Sequence, residues 1–198
     1  MIKNKQNMKK WIISLLLFAS LAEGVKAQNR FYGFSGNVNN DLGTGNNGTP
    51  SNVTYITDRF GVPNAALQIN GAGSQVNLGQ IAAINGQSNF TIAGWFQKPN
   101  VISDRVLFGI GANILCKTNH SGHLRLLGYN GCSIPLNNSV TTYLPNQTRF
   151  TSIPNNAWFH LAYVNQNGII KTYINGLPYG ESTQLTGAAC AGVDFLLG

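Results

Sequence analysis

Trp158-Phe159-His160-Leu161-Ala162-Tyr163-Val164-Asn165 is followed by Asn167-Gly168, then by Ile169-Ile170-Lys171-Thr172-Tyr173-Ile174-Asn175-Gly176, and this stretch decides the fold. Two runs of β-branched and aromatic residues are joined by one Asn-Gly step and closed by a second. A tight hairpin turn needs positive φ at both central residues, which Asn and Gly accept, so residues 158–165 and 169–175 are predicted to pair as antiparallel strands. Working outward, the same punctuation by Asn and Gly separates strand-like runs at 31–34, 53–57, 65–69, 75–78, 90–97, 105–110, 114–118 and 123–129. No stretch of ten or more residues carries a convincing helical period. Many short strands at this spacing predict an all-β sandwich or barrel, and no linker or internal repeat divides it.

Two of these strands read as apolar on both parities. Phe90, Ile92 and Phe96 alternate with Thr91, Ala93 and Trp95, and residues 158–164 are also mostly apolar on either face. On that pattern Trp95 and Trp158 are expected in the core, since Trp is usually well buried. Stacking on sugar rings is the alternative use of the same side chains.

The N-terminus reads as an export signal. Lys3, Lys5, Lys9 and Lys10 precede an apolar run at 11–22, and Val25-Lys26-Ala27 offers small residues where a signal peptidase cuts. The run is shorter than the about 20 residues a spanning helix needs. Residues 1–27 are therefore expected to be a cleaved signal peptide, with residues 28–198 as one domain and no membrane span left after cleavage. The whole chain has 13 Lys+Arg against 6 Asp+Glu, net +7, but the signal holds five of those lysines and one of the acids. The remainder is net +3, with its basic residues scattered singly, which argues against nucleic acid as a partner.

Four landmarks in order resemble the laminin G-like, concanavalin A-like jelly-roll family. They are Phe34-Ser35-Gly36-Asn37 leading to Asp41 and Gly45-Asn46-Asn47-Gly48-Thr49; Asp58-Arg59-Phe60-Gly61 with Asn64 to Gly71; Asn89 to Phe96; and Trp158 to Tyr163 followed by Tyr173-Ile174-Asn175-Gly176. The resemblance implies a two-sheet antiparallel jelly-roll sandwich serving as an exported recognition module for carbohydrate or an extracellular glycan or protein. Members of that family continue past the point where this sequence stops, at Phe195-Leu196-Leu197-Gly198. The resemblance thus implies a domain lacking its last strands, part of a longer polypeptide, with residues 31–34 left without one neighbour.

Candidate chemistry is sparse. Glycoside hydrolysis needs two carboxyl groups roughly 5–10 Å apart across one bond. Asp41, Asp58, Asp104, Glu181 and Asp194 are dispersed, with no two at strand-face spacing. Asp58 beside Arg59 reads as a turn with an ion pair. His160, within a strand, reads as structural, and His120 and His123 as polar residues flanking a turn. A zinc site from that pair with Cys116 has the ligand types but no other support. Calcium, which takes hard oxygen ligands, is the more plausible metal: Asp41 and Asn46 are its candidate ligands, in a loop with Asn39, Asn40 and Asn47. The same loop reads equally well as an Asn/Gly turn with no ion. Among three cysteines in an exported chain, Cys116 shares strand parity with core residues and is expected to stay a free thiol. Cys132 and Cys190 lie in loops and are the expected disulfide. With a hairpin at 119–122, Cys132 falls about 23 Å beyond the residue facing Cys116, too far for a bridge.

The sequence therefore points to a secreted, periplasmic or cell-surface module that binds carbohydrate, or an extracellular glycan or protein, through loops at the sandwich rim. Calcium is the candidate cofactor and no catalysis is expected. The alternatives are a glycoside hydrolase or an accessory domain of one, and a structural or adhesive surface domain.

Overall fold

The Asn-Gly steps fold as their chemistry requires. Asn167 and Gly168 take φ of 53° and 82°, and Asn175 and Gly176 take 51° and 79°, the positive pair that a tight hairpin needs. The buried Asn165 side chain fixes the first turn by accepting the Gly168 N–H at 2.9 Å. The structure, a computed structural model, describes residues 30–100, 105–110, 114–118, 124–128, 153, 155–181 and 189–198. The expected signal peptide, Cys132, Asp104, His120 and His123 lie outside these residues.

Every regular element described is a strand, in the order β1 (Thr49–Ser51), β2 (Val53–Ile56), β3 (Ala66–Ile69), β4 (Gln75–Asn77), β5 (Asn89–Gln97), β6 (Arg105–Ile110), β7 (Ile114–Thr118), β8 (Leu124–Gly128), β9 (Trp158–Gln166), β10 (Ile169–Ile174), β11 (Leu177–Glu181) and β12 (Phe195–Leu197). A six-stranded sheet runs β1-β4-β12-β6-β7-β8, and a four-stranded sheet runs β11-β10-β9-β5. All pairings are antiparallel, and β2 and β3 form a separate two-stranded ribbon. The two large sheets make a jelly-roll-like sandwich. Among the described residues no helix is long and apolar enough to cross a membrane.

The core lies between the sheets. Phe159, Leu161 and Tyr163 of β9 and Ile170 of β10 face Val76, Phe108, Ile110, Ile114, Cys116 and Phe195 of the larger sheet. Phe108 joins the layers, edge-on to Tyr163 and stacked on Phe195, each at 5.8 Å between ring centroids. Side chains of this size each gain about 1.5–3 kcal/mol on burial.

The Tyr163 hydroxyl is buried with no hydrogen-bond partner among the described residues. Burial first, and the neighbouring Cys116 second, push its pKa well above the usual tyrosine range. Leaving such a group unpaired costs about 1–3 kcal/mol. Tyr163→Phe is therefore expected to raise stability by about 1 kcal/mol, or about 2–4 °C in Tm. A fall in Tm on calorimetry would show that the hydroxyl is hydrogen-bonded after all.

Cys116 is a free, fully buried thiol. Burial raises its pKa well above normal, keeping it protonated and inert. Cys190 is also buried and is disulfide-bonded. Peptide mapping without reductant is expected to recover Cys132 joined to Cys190, with Cys116 alkylated only after unfolding. A Cys116–Cys132 peptide would overturn that pairing.

Two expectations need correction. Residues 31–34 form no strand. Asn40 and Asp41 hold them in an irregular bend: Phe31 N–H donates to Asn40 Oδ1 at 3.3 Å, and Gly33 N–H to Asp41 Oδ2 at 2.7 Å. The open edge expected there does not exist. The second concerns β5 and β9, which are not covered on both faces. Phe90, Ile92 and Phe96 point toward the core, whereas Trp95 is 44% exposed. A two-layer sandwich covers one face of each sheet, so the other parity faces outward whatever its polarity.

Candidate functional site

The uncovered face of the four-stranded sheet is unusually rich in aromatic residues. Strand alternation assigns Thr91, Ala93, Trp95 and Gln97 of β5 to it, with Trp158, His160, Ala162 and Val164 of β9. Lys171 and Tyr173 of β10 share that face, since Ile170 and Thr172, which alternate with them, are buried. Register places Trp95 opposite His160, Gln97 opposite Trp158, and Ala162 between Ala93 and Tyr173. Trp158 is thus a diagonal neighbour of Trp95, within reach of a large side chain. The small side chains of Ala93 and Ala162 leave a shallow floor beside them.

His160 meets the Trp95 ring at 5.4 Å, with an interplanar angle of 63°. Its strand position is fixed by the second hairpin, where Asn175 Oδ1 accepts the His160 N–H at 2.8 Å and the Asn175 N–H donates to the His160 carbonyl at 2.9 Å. The histidine expected to be purely structural therefore lies on the same surface as the tryptophan.

A third element reaches this surface. The loop between β2 and β3 is closed by Asp58, whose Oδ1 accepts N–H groups of Phe60 and Val62, each at 2.8 Å. The turn presents Arg59 and Phe60 outward, and Phe60 is 70% exposed. The Arg59 guanidinium lies 3.7 Å from the Phe60 ring centroid and 4.1 Å from that of Trp95. Each such contact contributes about 0.5–1 kcal/mol at an exposed site. In place of the expected ion pair, Asp58 caps its own turn while Arg59 packs between aromatics.

The calcium candidates sit elsewhere, in the loop at 37–47. Asn40 organises that loop. Its Oδ1 accepts from Phe31 and Leu42 at 3.3 Å, its Nδ2 donates to the Thr44 carbonyl at 2.7 Å, and its own N–H donates to Asn47 Oδ1 at 3.0 Å. Asp41 spends Oδ2 on Gly33, and the Asn46 carbonyl accepts the Tyr32 hydroxyl at 3.0 Å. Arg30 lies so close to Gly45 that a methyl group there would overlap its guanidinium. Much of the oxygen expected for an ion is thus engaged in building the loop, and a cationic side chain lies alongside. Among the described residues no three His, Cys, Asp or Glu side chains cluster as metal ligands. Asp194 is bonded to Asn77 Nδ2 at 2.8 Å, within the sandwich framework.

The sequence carried a signal for the aromatic face. Thr91 and Gln97 share the parity of Trp95, which marks that parity as outward. The approach of Arg59 and Phe60 is a tertiary contact with no local signature.

A family model described as the concanavalin A-like lectin/glucanases superfamily matches residues 70–198. Among solved structures, domain 4 of AbnA, a GH43 extracellular arabinanase from Geobacillus stearothermophilus in complex with arabinotriose, aligns with a TM-score of 0.60 at 21% identity, covering 84% of this chain and 81% of that one. The binding domain of Paraclostridial Mosquitocidal Protein 1 aligns with a TM-score of 0.59 at 18% identity, covering 80% of this chain and 41% of that one. At these identities the likeness is one of fold. No curated protein sequence matches the chain.

Proposed function

Because the chain belongs to the concanavalin A-like lectin/glucanases superfamily, we propose that it is an exported, non-catalytic module that binds carbohydrate on the outer face of its four-stranded sheet. The observation that carries this reading is Trp95, a large aromatic ring left 44% exposed on a sheet face shared with Trp158, His160 and Tyr173. A flat aromatic surface buries the apolar face of a sugar ring, while polar groups at its margin take the hydroxyls. Thr91, Gln97, Lys171 and His160 supply such groups here. The arabinotriose complex of the AbnA domain supports the ligand class. This reading moves the binding surface from the rim loops to a sheet face.

A glycan array probed with residues 28–198, followed by calorimetric titration of the best oligosaccharide, tests the proposal. Saturable binding that is lost in Trp95→Ala is expected. A folded protein that binds no glycan would overturn it. Calcium at Asp41 and Asn46 is a separate proposal, acting through that loop. Repeating the titration with a chelator tells the two apart, and unchanged affinity would mean that the sheet face works without the ion.

Export rests on residues 1–27, and the bonded Cys190 suits an oxidising compartment. N-terminal sequencing of protein recovered outside the cytosol is expected to begin at Gln28. An intact Met1 or Met8 on that material would refute cleavage.

A further inference from the structure

We infer that this face selects an anionic sugar, one bearing a carboxylate or sulfate, and that Arg59 is the residue that reads the charge. The inference rests on the carbohydrate-binding reading and narrows its ligand class.

The argument begins with how the guanidinium is held. It is a flat cation with two π-faces and an edge of N–H donors, and each part can be spent separately. Here two aromatic rings hold it, the guanidinium carbon lying 3.7 Å from the Phe60 centroid and 4.1 Å from that of Trp95. Its donor edge has no hydrogen-bond acceptor among the described residues. The nearest carboxylate along the chain, Asp58, commits Oδ1 to the backbone N–H groups of Phe60 and Val62 and does not pair with it. The arginine is therefore oriented by stacking, and its charge-assisted bonds are left unmade.

That is the arrangement suited to an incoming oxyanion. Guanidinium and carboxylate or sulfate oxygens form two parallel, charge-assisted bonds, stronger than neutral ones and geometrically selective. Stacking lowers the entropic cost, because the fork is already ordered before the ligand arrives. Arg59 lies over the Trp95 ring, so an acidic sugar seated on the adjoining part of this face, beside Trp95, brings its carboxylate or sulfate to the guanidinium. A neutral sugar could use the tryptophan but would leave the cation unmatched. Lys171 is on β10, two strands from β5 in the sheet, whereas Arg59 is the cation in contact with Trp95, so Arg59 is the cation assigned to the charge.

The test uses residues 28–198 and three probes: an oligogalacturonate, the same oligosaccharide fully methyl-esterified, and a sulfated chondroitin oligosaccharide. The unmodified protein is expected to bind at least one acidic probe about tenfold or more tightly than the ester, roughly one charge-assisted bidentate contact. Preference for oligogalacturonate assigns the carboxylate, and preference for the chondroitin probe alone, lost when that probe is desulfated, assigns the sulfate. Arg59→Gln is expected to bring acidic and neutral probes to equal affinity while weak binding persists. Arg59→Lys is expected to keep less than half of the preference on a logarithmic scale, since it retains charge but not the fork. Equal binding of acidic and esterified probes by the unmodified protein would overturn this inference and leave the carbohydrate reading intact. An acidic preference that survives in Arg59→Gln would overturn the assignment to Arg59. Failure to bind any of these probes would overturn the inference, whereas failure across the glycan array would overturn the carbohydrate reading as well. Thermal melts of each variant within about 2 °C of the parent (about 1 kcal/mol or less for a chain of this size) separate lost selectivity from lost folding.

Discussion

Phe108→Ala is expected to remove about 3–5 kcal/mol of folding stability, the usual cost of emptying a buried aromatic site. Phe108 is 0% exposed, and its ring touches both sheets, Tyr163 across the sandwich and Phe195 beside it. Tyr163, Phe195 and its register partner Cys116 belong to three different strands, so no single side chain can move in to close the void. Total stability of a domain is only about 5–15 kcal/mol. The variant should therefore melt about 6–20 °C lower, or fail to accumulate as folded protein. Urea denaturation with an unchanged slope and a lower midpoint is the expected record. Phe108→Leu, which keeps most of the volume, should lose appreciably less. Equal losses would show that the site tolerates a cavity and that Phe108 does not hold the layers together.

Trp95→Ala should do the opposite, ending glycan binding with little effect on folding. Anchoring aromatic residues typically account for 2 kcal/mol or more of binding energy, which is about 30-fold or more in affinity. The folded protein loses only surface contacts with Arg59 and His160, so stability should fall by about 1 kcal/mol or less. The adjacent Phe96 gives the internal contrast. It points inward and meets Phe159 at 6.1 Å between centroids, so Phe96→Ala should cost stability first. Parallel titrations and melts of the two variants check this. A Trp95→Ala protein that binds as before, or that unfolds as readily as Phe96→Ala, would mean that the tryptophan is core and the aromatic face is no binding surface.

Most of the fold was legible because turn chemistry and alternation are local. β6 and β7 fall at the residues that the sequence assigns, and β5, β9 and β10 differ only at their ends. The strands not anticipated each break a local rule. β1 contains Pro50, β11 contains Pro178 and Gly180, and β12 is three residues that read as a chain end. Residues 31–34 erred in the other direction. They have strand composition, but Asn40 and Asp41 capture their backbone groups instead of a ladder. Trp95 was misplaced because hydrophobicity reports what a residue tolerates and not which layer covers it. The polarity of Thr91 and Gln97 on the same parity was the better guide. The company of Arg59 and Phe60 could not be read at all, because it depends on where the β2–β3 ribbon lands against β5.

The position of β12 bears on when this protein can fold. Phe195–Leu197 lies inside the larger sheet, with Leu196 opposite both Asn77 and Gly109. The bond from Asn77 to Asp194 spans 117 residues of chain. Until those residues are available, the sheet is two unjoined pieces, and the ring of Phe108 lacks the Phe195 stack. Such distant closures carry a large entropic cost before any contact rewards them, and chains that depend on them fold slowly. Synthesis delivers only about 5–20 residues each second, so the nascent chain stays open for many seconds while its leading end is free to be engaged. For the export route proposed above, that delay is useful. Under that proposal, a polypeptide whose larger sheet is joined only by residues 195–197 would be threaded through a channel before its sandwich closes.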